Sequence, residues 1–324
     1  MSYTANQIST NTEWQRVYYD RVLLERLLPN LIWTMFGQPK PMPQNEGQSV
    51  NFHGYESLAV ATTELTEGVT PAGSLLSMIN FSATPKQYGD FVEITDKLDM
   101  TAPDPVLTNA AELLGEQAAE TIDTLVRDIL ALATNVQYAG TANTQAVEVA
   151  ATDILDEIEI KKAVRTMHTN KIKKLTQIVN ASTGVGTVPV APAFVGIVSA
   201  ATLYDLKGLT DKGWTPVEEY ASTGALLPYE VGKLDEVRFV MTHNPIIETG
   251  AGSDSPANDI HHTLIFGRDA YGIIQLAGVQ NIIKGFGAGH DPLNQRATSG
   301  WKCFFTTKIL QQLAILRVVH GVTA

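Results

Sequence analysis

The segment PVLTNAAELLGEQAAETIDTLVRDILALA, Pro105 to Ala133, decides the fold. Leu107, Ala110, Leu114, Ala118, Ile122, Leu125, Ile129 and Leu132 recur at three- and four-residue steps, which aligns them along one face of a helix. Pro103 and Pro105 suit its first turn, with Asp104 as the N-cap. At ~1.5 Å per residue the rod is roughly 40 Å long, well beyond the average globular helix. Glu112, Glu116 and Glu120 line its other side at i, i+4 steps. Like charges so placed cost about a few tenths of a kcal/mol per pair. Water can screen the stripe, or basic groups on a neighbour can offset it.

Upstream of the rod the pattern changes to short alternating runs, from Gly47 to about Leu98. Ser49-Val50-Asn51-Phe52-His53, Ile79-Asn80-Phe81-Ser82-Ala83 and Asp90 to Thr95 each alternate polar with apolar residues. Between the first two lies a Thr-, Glu- and Gly-rich stretch, Ala61 to Ser74, with the composition of a loop tip. The spacing predicts a long two-stranded ribbon with little sequence from which to build its own core. An isolated ribbon is marginal in water, so this one is expected to lie on another subunit.

Further upstream, Thr12 and Gln15 fit a capping box that opens a helix carrying Trp14, Val17, Tyr18, Leu24 and Leu28. Pro29 breaks it. The cluster Leu31 to Phe36 follows, and Pro39, Pro41 and Pro43 force an extended stretch beyond it.

Downstream of the rod, a second helix is expected from about Asp153 to His168. Phe194-Val195-Gly196-Ile197-Val198 reads as a buried strand, followed by Ser199 as the N-cap of a helix through Leu206. Val237 to Met241 and Thr263 to Phe266 are further buried strands. The stretch of about 191 to 297 thus looks like an inserted α/β unit. Trp301 to His320 is an apolar, strand-rich return segment expected to pack against the long helix.

Composition narrows the function. The 324 residues are 44% hydrophobic, which is ordinary for a folded protein. A single cysteine, Cys303 in the apolar Trp301-to-Phe305 run, excludes an internal disulfide framework and is expected in the core. No stretch has the apolar length of a membrane span, and the first residues lack a secretory signal's basic start and apolar core. The net charge of −11 argues against a protein that grips nucleic acid, because such binding rests on Lys and Arg neutralising phosphates. The one compact basic run, Lys161-Lys162 to Lys174, sits beside Asp153, Asp156, Glu157 and Glu159 and reads as a solvated helix face.

Candidate chemistry does not assemble. Gly285-Phe286-Gly287-Ala288-Gly289 is followed by His290-Asp291-Pro292 where a dinucleotide loop needs a helix. His261-His262 has no companions at zinc-site spacing and is expected at a loop-to-strand boundary. Neither Ser182 nor Ser199 lies in a Gly-x-Ser-x-Gly elbow. No catalytic, cofactor or metal residues are assigned.

The order of arm, ribbon, long helix, inserted α/β unit and return strand resembles the major capsid proteins of tailed bacteriophages. Three phrases resemble the N4-like subgroup of that family. They are Tyr19-Asp20-Arg21-Val22-Leu23-Leu24, Phe266-Gly267-Arg268-Asp269-Ala270-Tyr271-Gly272, and Asp291-Pro292-Leu293-Asn294-Gln295-Arg296 with Gly300-Trp301-Lys302.

The resemblance implies an α+β, HK97-like capsid fold. Residues 1–46 would be the N-terminal arm and 47–98 the extended loop over a neighbour. Residues 99–190 would be the peripheral domain with spine helix 105–133, joined by the return strand 298–324. Residues 191–297 would be the axial domain. Candidate intersubunit contacts are Trp14, Tyr18, Phe52, Tyr55, Phe81, Tyr88, Phe91, Glu112, Glu116 and Glu120. The implied function is a structural subunit forming hexamers and pentamers of an icosahedral head. Its expected partners are other copies of itself, a portal protein at one vertex, and packaged DNA that is enclosed but not specifically bound. A separate scaffolding protein is expected because the chain has no long amino-terminal scaffolding region. A decoration protein is compatible with that role, and a membrane is not. Two other readings are a nanocompartment shell of the same fold around protein cargo and a cytosolic α/β enzyme.

Overall fold

The computed structural model describes residues 31–42, 47–56, 58–65, 67–70, 73–101, 106–140, 143–176, 192–220, 226–254, 257–286 and 292–323. The expected amino-terminal helix with Trp14 and Tyr18, the Asp104 cap, and most of the glycine run after Gly285 lie outside them.

The long helix is present as α2 (Val106–Leu130), preceded by β1 (Gln38–Pro41), β2 (Val50–Tyr55), β3 (Met78–Ala83), β4 (Lys86–Thr95) and the short α1 (Asp96–Thr101). Ala110, Leu114, Ala118 and Ile122 are buried on α2 as its periodicity predicts. Nearer the carboxyl end the buried stripe runs through Val126 and Leu130, while Leu125 and Ile129 are only partly buried. The buried positions keep four-residue steps from Ala110 to Leu130, whereas the expected stripe takes a three-residue step at Leu125 and so leaves them. Leu132, expected on that face, lies beyond the helix and is 72% exposed.

Beyond α2 follow β5 (Val136–Tyr138), α3 (Glu157–Thr169), β6 (Phe194–Val198), α4 (Ala200–Lys207), β7 (Thr215–Pro216), β8 (Glu230–Leu234), β9 (Val237–Met241) and β10 (Ile246–Glu248). Last come β11 (Ile260–Phe266), β12 (Tyr271–Lys284), β13 (Arg296–Ile309) and β14 (Ile315–His320). The capping logic holds on both shorter helices. Asp156 accepts the Glu159 N–H at 2.9 Å, which starts α3 at Glu157, four residues later than expected. Ser199 caps α4 as expected, accepting the Thr202 N–H at 3.2 Å.

Two sheets carry the chain. The larger has the order β5-β14-β11-β6-β9-β8-β7, with β10 beside β11. Every residue of β6 and β11 is buried, the signature of strands covered on both faces. The smaller sheet has the order β1-β12-β13-β4. In β13 the odd residues from Ala297 to Ile309 are all buried and most of the even ones are not, as expected of a sheet with one face on a helix. That helix is α2: Trp301 Nε1 donates to Gln117 Oε1 at 3.1 Å, and Gln117 Nε2 donates to Asp90 Oδ2 at 2.7 Å.

These pairings correct three expectations. Asp90 to Thr95 belongs to β4 at the sheet edge, paired with β13, so the free ribbon is only β2 with β3. Alternation marks a half-buried strand but does not name its partner. The return segment divides, β13 lying on α2 while β14 enters the larger sheet between β5 and β11. The 191–297 stretch divides likewise, since β12 pairs with β1 and β13, away from β6 and β11.

Candidate functional site

The ribbon is seated at its base and bare at its tip. Strands β2 and β3 run in register from Val50 opposite Ala83 to Tyr55 opposite Met78. Phe52 is only 6% exposed, clustered with Met42, Ala83 and Ile274. Its ring fills the space over Gly272, where any Cβ would collide with it. Lys40 Nζ sits 4.9 Å from the ring centroid. Phe81, directly opposite Phe52, is half-buried against the same cluster. Past Tyr55 the chain turns outward: Leu58, Val60, Leu65, Val69, Leu75 and Leu76 are all exposed, Leu75 by 92%. From Tyr55 to Met78 there are three carboxylates (Glu56, Glu64, Glu67) and no lysine or arginine.

A groove of about 630 Å³ lies on the smaller sheet, lined chiefly by residues of the sheet's outer face, which turns away from α2. Gly300 forms part of its floor, where a Cβ would stand 2.7 Å from that of Phe91. Phe91 (65% exposed) and Ile282 form apolar walls, and Lys284 and Lys302 add two cations. Arg296, further along the same face, pairs with Glu93 at 3.1 Å.

A second cleft, of about 220 Å³, is lined by Ile32, Glu116, Glu120, Asp123, Thr242, His243 and Asn244. Here Asp123, 1% exposed, ties three segments together. Its Oδ1 accepts the backbone N–H of Ile32 at 2.9 Å and of Trp33 at 2.8 Å, and Trp33 Nε1 donates to the Asn244 carbonyl at 3.1 Å. Burial raises the Asp123 carboxyl to about 6, against the lowering pull of those N–H groups, Asn244 and Arg127. Among the described residues no cluster of three His, Cys, Asp or Glu could hold a metal ion, and no helix is long and apolar enough to cross a membrane.

The sequence profile of the family described as phage capsid protein matches residues 80–298, two-thirds of the chain. The chain belongs to that family.

The capsid of Ralstonia phage GP4 has the same fold, with a TM-score of 0.68 at 12% identity over 89% of this chain and 87% of that one. The capsid of cyanophage Pam1 gives 0.66 at 14% identity over 93% of both chains. The head of Helicobacter pylori bacteriophage KHP40 gives 0.60 at 12% over 99% and 98%. No curated protein sequence matches. The protein is thus a phage capsid protein with the HK97-like fold, a structural subunit of the virion.

Within the capsid protein, Tyr55 (69% exposed) and Phe91 stand out on the surface, and Tyr88 packs partly against the main core. Phe52 departs from its expected place: its own chain buries it, because β12 offers a glycine seat that the ribbon sequence does not announce. Glu112 and Glu116 are half-buried on α2 and Glu120 is exposed. Cys303 is in the core, where burial pushes its thiol up to about 11. Lys161 pairs with Glu157, Lys162 with Glu159 and Lys174 with Glu236, so these members of the basic run are matched within the chain. His261-His262 is a correction, since both lie within β11 and are buried. Sequence reasoning missed Asp123. Its one signal was a carboxylate next to Ile122 on the apolar face of α2, where an unpaired charge would be costly.

Proposed function

We propose that the chain closes an icosahedral head as hexamers and pentamers, with the ribbon tip as the arm that lies over a neighbouring copy. The observation that carries this reading is the group Leu58, Val60, Leu65, Val69, Leu75 and Leu76, all of them exposed among the described residues. Exposed apolar surface of that extent marks an interaction site. The groove on the outer face of the smaller sheet is the receiving surface. Its apolar walls match the tip, and Lys284 and Lys302 complement Glu56, Glu64 and Glu67.

Within this reading α2 with the smaller sheet is the spine of a peripheral domain, and the larger sheet, β5 and β14 included, supplies the axial domain around the symmetry axes. Tyr55 and Phe91 are the intersubunit contacts best placed by exposure. A separate scaffolding protein, a portal protein at one vertex and packaged DNA complete the assembly.

The test is to express the chain with its scaffold and image the product, beside a Leu75→Ser/Leu76→Ser variant. Closed shells from the unaltered chain, and soluble subunits of unchanged melting temperature from the variant, are expected. Shells of normal yield and heat resistance from the variant would remove the ribbon from the interface.

A further inference from the structure

Three histidines gather in the larger sheet where β14 meets β11. His261 and His320 sit opposite each other in the ladder, and their rings stack with centroids 6.4 Å apart. His262 is the next residue along β11. All three are buried: His261 is 8% exposed, His262 4% and His320 0%.

Their hydrogen bonds can be met by neutral rings. His320 Nδ1 donates to the Gly321 carbonyl at 2.7 Å, since a carbonyl can only accept, and in the neutral ring Nε2 accepts from the Thr263 hydroxyl at 2.9 Å. His261 Nδ1 meets the Ser199 hydroxyl at 3.0 Å. Neither ring nitrogen of His262 has a hydrogen-bond partner, although Nε2 stands 3.2 Å from the half-exposed Glu248 carboxylate. A buried polar side chain without a partner is uncommon in a core.

The histidines sit at the carboxyl end of a strand that is paired along Ile315 to His320 with β11. Arg317 to Val319 pairs in parallel with the three-residue β5, and Gly321 bridges to Ile154. The Thr323 N–H donates to Asp205 Oδ2 at 3.1 Å.

We propose that His261, His262 and His320 form an acid-sensitive latch that keeps β14 in the larger sheet at neutral pH and releases it in acid. Burial lowers all three, His262 to about 3 and His320 to about 4. The charges facing them are mixed. Asp259 and Asp205 favour a proton on His261, and Asp205 favours one on His320. Arg317, His320 and His261 oppose one on His262, which Glu248 alone would welcome. A histidine held low in the folded state keeps its full stabilising effect above its free value of about 6.5. That stability is lost as pH falls from there toward about 4 for His320 and about 3 for His262. Each histidine that protonates only on opening raises the opening equilibrium about tenfold per pH unit in this window.

Hydrogen exchange on the full chain, corrected for intrinsic rates, tests the latch between pH 7 and pH 4.5. Protection of Ile315 to His320 should fall by at least about tenfold per unit below 6, ahead of the fall in β12. His262→Leu and His320→Gln should each reduce that slope by about one proton. Imidazole NMR titration of the unaltered chain guards against variants that fail to fold, and should place His262 and His320 below 5. Rings titrating near 6.5, β14 protection unchanged to pH 4.5, or slopes unaltered in well-folded variants would overturn the proposal.

Discussion

The Asp123 carboxylate accepts the Trp33 backbone N–H at 2.8 Å and so pins the chain ahead of β1 to the middle of α2. Trp33, 1% exposed, in turn accepts the Tyr271 hydroxyl on its carbonyl at 2.6 Å. One buried acid thereby joins the arm, the long helix and the first residue of β12.

The pH dependence of this joint follows from its raised carboxyl. A folded-state value of about 6, above the free value, means that the stabilising effect is complete below about 4 and is lost as pH rises through 6. Asp123→Asn keeps an acceptor for both N–H groups while removing the titration. Thermal melts should show the variant gaining on the parent as pH rises from 4 to 7, by about 2 kcal/mol. Asp123→Ala leaves two buried donors without an acceptor and should lose about 1–3 kcal/mol for each at every pH. Parallel pH profiles for parent and Asp123→Asn would contradict this account.

Phe52 and Phe91 should separate subunit stability from shell stability. Truncating the buried ring with Phe52→Ala should lower subunit stability by about 3 kcal/mol, seen as an earlier denaturant midpoint. Phe91→Ala removes an exposed ring, so the subunit midpoint should hold while the shell's disassembly temperature drops. The reverse pattern would move Phe91 into the core and Phe52 into the interface.

Much of this division was legible in the sequence, and its limits have physical causes. Periodicity located α2 because it buries a regular face, largely apolar runs located β6, β9 and β11, and Ser199 announced its cap through its residue type. Partners were hidden. Asp90 to Thr95 alternates whether it pairs with β3 or with β13, and only the long-range ladder decides. Phe52 looked exposable because its seat is a glycine, Gly272, some 220 residues away. Asp123 lay in plain view on the apolar face, but the N–H groups that satisfy it come from Ile32 and Trp33.

The charge balance carries its own prediction about DNA. A net charge of −11, with Lys161, Lys162 and Lys174 paired to the chain's own carboxylates, argues against a phosphate-gripping surface among the described residues. Fluorescence titration of subunits with duplex DNA at physiological salt should give a Kd of about 0.1 mM or weaker. Submicromolar binding at that salt would contradict a wall that encloses DNA without holding it.

Cross-linking from the ribbon tip tests the central claim most directly. A photoreactive residue at Leu75, in shells assembled from equal parts light and isotopically heavy chains, reports whether the tip touches its own chain or another. The account predicts mixed light–heavy cross-links from residue 75 to residues of the groove, among them Phe91, Ile282 and Lys302. Cross-links confined to one isotopic chain, or absent from the β4–β13–β12 face, would contradict it.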